Sequence, residues 1–105
     1  MSSIFTKIYN WEISSEILYK DDLVFVIKDI NPKAKHHFLI IPIKEIETIN
    51  DLNESDSDIL LRLFFIAKKI ASDNNISDWY QLHFNVWKLW WQEVMHIHLH
   101  LLSDL

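Results

Sequence analysis

The chain has 105 residues, half of them apolar and about a quarter charged, with a formal net charge of -5 and no cysteine. This suits one domain, residues 1–105, built on one hydrophobic core. It argues against disorder and against a nucleic-acid backbone as main partner, and it leaves no disulfide, thiolate metal site or thiol nucleophile. No run approaches the ~20 apolar residues of a membrane span, and the N-terminus lacks a long apolar leader, so the expectation is a cytoplasmic protein without a membrane partner. The chain has five tryptophans and no glycine, where average usage would give roughly seven glycines.

In chain order, Ile17–Lys20 and Leu23–Ile30 read as two strands joined by a tight turn at Asp21-Asp22. Val24 and Val26 share one face of the second strand, and Phe25, Ile27 and Asp29 the other. Asn31-Pro32 breaks it, and His37–Ile41 forms a third strand closed by Pro42, which cannot donate to a ladder. A short helix is predicted around Lys44–Thr48. Ser55–Asn74 is predicted as a long amphipathic helix, capped at Ser55 and carrying Ile59, Leu63, Ile66, Ala67 and Ile70 at helical spacing. Tyr80–Phe84 and Val94–Leu102 complete five strands. The fold class is α+β, an antiparallel five-stranded meander with one long and one short helix.

His96-Ile97-His98-Leu99-His100 alternates strictly. On a strand this sends three imidazoles to one face and two aliphatic side chains to the other. A lone strand histidine such as His83 or His36 reads as a solvent-facing or hydrogen-bonded side chain; three in register call for chemistry. One option is metal binding through neutral imidazole, although the spacing places no carboxylate to complete a catalytic metal site. The other is nucleophilic catalysis, since an imidazole with pKa near 6.5 is largely neutral at pH 7 and can attack phosphorus.

His96-Ile97-His98-Leu99-His100-Leu101-Leu102 resembles the signature of the histidine triad family, three histidines alternating with apolar residues. The resemblance extends over Ile4-Phe5-x-Lys7-Ile8, Asp29-Ile30-x-Pro32, His37–Pro42 and Gln92-Glu93-Val94, and looks most like the small nucleotide-binding phosphoramidases. It implies that His98 attacks the α-phosphorus of a nucleoside 5′-phosphoramidate or related conjugate, giving a nucleotidyl-histidine that water hydrolyses. It further implies that His100 contacts phosphate, that His96 and His37 orient the reactive imidazole, and that Asn85, Gln92 and Glu93 lie near the phosphate. Asp29 would bind the ribose hydroxyls, with Ile27 and Ile30 lining the base pocket. The implied partner is a purine nucleotide or conjugate, the implied assembly a homodimer, and neither metal nor other cofactor is expected. Two alternatives stand beside this reading: a non-catalytic nucleotide- or metal-binding module, and a diadenosine polyphosphate hydrolase on the same fold.

The chain departs from the family between Asn85 and the triad, where Trp87, Trp90 and Trp91 stand at expected glycines. Trp79 also falls where glycine is usual, and Trp11 follows Asn10 in a turn where glycine would be unsurprising. One reading is ordinary use of tryptophan as a core and surface aromatic, and a second is substitution that crowds the phosphate loop. The preferred one is a UGA codon that the host reads as glycine and a conceptual translation reads as tryptophan.

Overall fold

The computed structural model describes residues 2–105. Helix α1 (Ile4–Tyr9) is capped by the Ser3 hydroxyl, which accepts from the Thr6 N–H, and buries Phe5 and Ile8. No sequence pattern predicts this helix. Six residues are too few to be helical on propensity alone, so α1 depends on packing those two side chains.

Five strands follow: β1 (Tyr19–Lys20), β2 (Val24–Lys28), β3 (His36–Pro42), β4 (Gln81–His83) and β5 (Leu99–Ser103). The β1–β2 turn is fixed by Asp21, whose carboxylate accepts from the Leu23 and Val24 N–H groups, the Tyr19 hydroxyl and Arg62. Helix α2 (Ser57–Asp73) lies between β3 and β4 in sequence, and the turn Glu54–Asp56 leads into it. The helix therefore starts two residues beyond the predicted cap. Asp56 turns away from the helix to bind Lys44 at 2.7 Å and the Asn53 N–H at 3.0 Å. The short helix predicted at Lys44–Thr48 is absent there. Its place is taken by one tight turn at Ile49–Asp51, because Thr48 and Asp51 cap each other reciprocally.

All neighbouring strands are antiparallel, in the order β1-β2-β3-β5-β4. The predicted meander thus holds only for the first three strands. After α2 the chain returns at the far edge as β4, and β5 fills the gap beside β3, making the histidine strand internal. Strand alternation sends Val24, Val26, Phe38, Ile40, Leu99 and Leu101 against α2. Phe25, Ile27, Leu39 and Ile41 pack with Phe5 and Ile8 on the opposite face. Among the described residues no helix is long and apolar enough to cross a membrane.

Candidate active site

The α1 face of the sheet does not close completely. A cavity of about 460 Å³ opens there, walled on its apolar side by residues such as Phe5, Ile8, Ile27 and Val94 and on its polar side by Asp29, His37, His98 and His100. Its floor follows from register. Ile27 pairs with Leu39, Leu39 with His100, and His100 with His83, so one row across four strands changes from aliphatic to imidazole.

The triad does not behave as one uniform strand face. β5 begins at Leu99, so His96 and His98 precede it, and of the three histidines only His98 and His100 line the cavity. The reason lies at Pro42, which has no N–H with which to continue the ladder, and whose carbonyl accepts from His96 Nε2 at 2.7 Å. His96 is fully buried, with Nδ1 held 2.5 Å from the Ser3 hydroxyl. Its backbone carbonyl, rather than its ring, touches the next histidine: it lies 2.8 Å from His98 Nδ1.

These contacts assign the protons. A carbonyl can only accept, so His98 carries its proton on Nδ1, and Nε2 is a free lone pair. The Lys33 N–H donates to His37 Nδ1 at 3.1 Å, leaving His37 Nε2 as the donor to His100 Nδ1 at 2.9 Å. His100 must then carry its proton on Nε2, and that buried nitrogen has no hydrogen-bond partner. The site therefore presents a lone pair on one ring and an unsatisfied N–H on its neighbour, with ring centres 4.9 Å apart.

Burial pushes the imidazoles of His37, His96 and His98 below their ordinary values. His100 is pushed down to about 3, by burial first and then by the neighbouring histidines His98, His83 and His37. All four are neutral at pH 7, as both a nucleophile and a neutral donor require.

Asp29 ends the polar wall. One carboxylate oxygen accepts from the Asn31 N–H at 2.8 Å, and the other lies 3.5 Å from His37 Nε2. Asp29, His37 and His100 bring their ligand atoms within 4.8 Å of one another, so this trio could hold a cation. The 2.9 Å between His37 Nε2 and His100 Nδ1 is a hydrogen-bond distance. Two nitrogens on one tetrahedral zinc sit about 3.3 Å apart, so an ion would have to part the rings.

Asn85, Glu93, Ile27 and Ile30 all reach the cavity wall, Ile30 as a largely exposed side chain. Gln92 stands outside it. Its buried amide accepts from the Trp87 N–H and donates to the Glu47 and Val94 carbonyls, pinning the 87–91 loop to the body of the domain. Lys33 and His83 also stand on the wall, and no sequence pattern singles out either of them as functional. His83 stacks on His100 with centroids 4.5 Å apart and planes 8° from parallel. No local pattern marks it, because its position follows from the β4–β5 register.

Residues 2–105 match the family model described as "Scavenger mRNA decapping enzyme C-term binding". The chain is 46% identical over 102 residues to the purine nucleoside phosphoramidase of Escherichia coli strain K12, covering 96% of this chain and 86% of that protein. A HIT family hydrolase from Legionella pneumophila superposes with a TM-score of 0.95 at 43% identity, covering 99% of this chain and 94% of that one. A second, from Clostridium thermocellum, gives 0.94 at 40% identity, covering 99% and 91%. With the paired lone pair and N–H of His98 and His100 set on that shared fold, this chain belongs to the histidine triad family.

Proposed function

We propose that the protein hydrolyses nucleoside 5′-phosphoramidates or related nucleotide conjugates, with His98 as the nucleophile. The observation that carries this reading is the pairing of His98 Nε2, a free lone pair, with the unpartnered Nε2–H of His100 in one cavity. A phosphoryl oxygen would satisfy that N–H, and its charge would grow as the lone pair attacks. The Nε2–P bond forms as the P–N bond to the amine breaks, and the amine leaves with a proton from solvent. Water then attacks phosphorus, and the nucleoside monophosphate departs with His98 again neutral. Asp29 offers carboxylate oxygens to a vicinal diol, and Ile27 and Ile30 an aliphatic wall to a base. The phosphoramidase activity in the name of the E. coli relative supports the same substrate class.

His98→Ala should abolish AMP release from adenosine phosphoramidate while AMP still binds; turnover at the parent rate would refute His98 as nucleophile. The Asp29, His37 and His100 trio supports a second reading, a cation-binding module. Tight zinc binding without any phosphoramidate turnover would favour it. We also propose a homodimer, supported by Leu61, Phe64 and Phe65, exposed at neighbouring positions on α2. Sedimentation at the monomer mass would reject it.

A further inference from the structure

Four described residues hold positive φ: Trp11 at 64°, Asn75 at 59°, Trp87 at 73° and Trp91 at 66°. Asparagine tolerates this region, whereas a bulky side chain there is an outlier. Trp87 combines its φ with ψ of 158°, a region essentially reserved for glycine. Local hydrogen bonds show why the backbone turns at these points. Trp11 follows the end of α1, where the Trp11 N–H donates to the Ile8 carbonyl and the Glu12 N–H to that of Lys7, a left-handed helix close. Trp87 and Trp91 bracket the turn at Lys88–Trp90, and the Gln92 N–H returns to the Trp87 carbonyl. None of the five indoles finds a core: their exposures run from 52% to 71%. Three tryptophans thus sit in backbone conformations that disfavour them without the burial that usually justifies the residue, in a chain with no glycine at all.

We infer that positions 11, 79, 87, 90 and 91 are glycine in the protein as its own ribosomes make it, each written by a UGA codon that the host reads as glycine. UGA differs from the glycine codon GGA only in its first base, and reading it as tryptophan gives the present chain. A codon-wide rule extends to Trp79 and Trp90, which lack positive φ, with no separate cause for each. At position 91 the change also removes an indole from the cavity wall. The inference rests on backbone geometry and composition, so it stands or falls independently of the reaction proposed for the site. Peptide mass mapping of the protein isolated from its host tests it directly. Glycine at all five positions is expected, with UGA in the gene; tryptophan mass at any of them, or a UGG codon, overturns it. A recombinant chain carrying Trp→Gly at the five positions should also melt higher than the tryptophan chain. An equal or lower Tm would contradict the strain on which the inference rests.

A different set of contacts carries a second inference, which rests on the proposed reaction. Ser3 caps α1, and its hydroxyl also meets His96 Nδ1 at 2.5 Å. Glu45 holds the same corner by accepting from the Ser3 N–H and, at 2.6 Å, from the Thr6 hydroxyl. With Nε2 committed to the Pro42 carbonyl, the His96 ring is held at both ends, and its own carbonyl holds His98 Nδ1. We propose that Ser3 is a positioning residue for His98, acting through His96. Ser3→Ala should lower kcat about tenfold with KM unchanged, since small misplacement of a reacting group is enough for such a loss. Ser3→Thr should restore it. Thr6→Val, which loosens the same helix start without touching His96, should leave kcat near the parent value. A normal kcat in Ser3→Ala, or an equal loss in Thr6→Val, overturns the assignment. A parent protein inactive on phosphoramidates would instead refute the reaction itself, whereas a shifted His96 Nδ1 resonance in the 15N spectrum of Ser3→Ala, with the Nε2–H kept on the Pro42 carbonyl, would still support the contact.

Discussion

The two faces of the sheet are made by the same strands and differ in what alternation delivers to them. Toward α2, Leu99 and Leu101 join a fully aliphatic and aromatic core. Toward α1, His98 and His100 come from the intervening positions, and the cover stops short and leaves a cavity. One face is closed, and its side chains act only through packing. The other stays open over buried imidazoles, one of which keeps an unsatisfied donor. Stability and reactivity are thus carried by adjacent residues of a single strand, and single substitutions can separate them.

The largest expected contrast is between His100 and Leu101. His100→Ala should lower kcat by about 10²–10³-fold, the usual loss for one donor to a developing oxyanion. It should cost less stability than Leu101→Ala does, because one ring nitrogen is unsatisfied in the fold and the other only accepts from His37. Leu101→Ala should do the reverse, costing about 2–5 kcal/mol by denaturant melting while the folded fraction keeps its kcat. A smaller effect is expected behind the open face. Gln92→Ala strands three backbone groups near the loop, and should cost about 1–3 kcal/mol, with kcat/KM falling alongside.

Acid should distinguish the faces by a shallower effect. Burial lowers the folded pKa of His37, His96, His98 and His100, so the unfolded chain binds more protons in acid. Their contribution is fully present above pH ~6.5. It is lost as pH falls toward about 3, where folded His100 also protonates. The slope from His100 alone is about 1.4 kcal/mol per pH unit. Denaturant melts across this range should show it, and His100→Ala should flatten it. A pH-independent stability between 6.5 and 4 would contradict the neutral, buried histidine face.

Features governed by local period were legible in the sequence: the two faces of β2, the long amphipathic α2, and the alternation that brings His98 and His100 to one wall. Features governed by partners were not. α1 is too short to announce itself without Phe5 and Ile8 packed beneath the sheet. The inward turn of His96 depends on Pro42, a residue 54 positions away. His83 enters the cavity because β4 lies beside β5, and that neighbourhood follows from strand order rather than spacing. Gln92 sits next to Glu93 in sequence yet points into the loop support, since three backbone groups converge on its amide.

The strand order also sets when the site can exist during synthesis. β5 emerges from the ribosome last of the five strands but lies between β3 and β4. Until Leu99–Ser103 is free, β3 presents an open edge and β4 has no neighbour to pair with. Such edges invite pairing with other chains. Closing the gap requires contacts between residues more than sixty positions apart, such as His37 with His100, and non-local pairing of this kind is slow. The nascent chain is thus most exposed to misassociation in the interval just before its last strand arrives, and that same strand brings His100 beside His37.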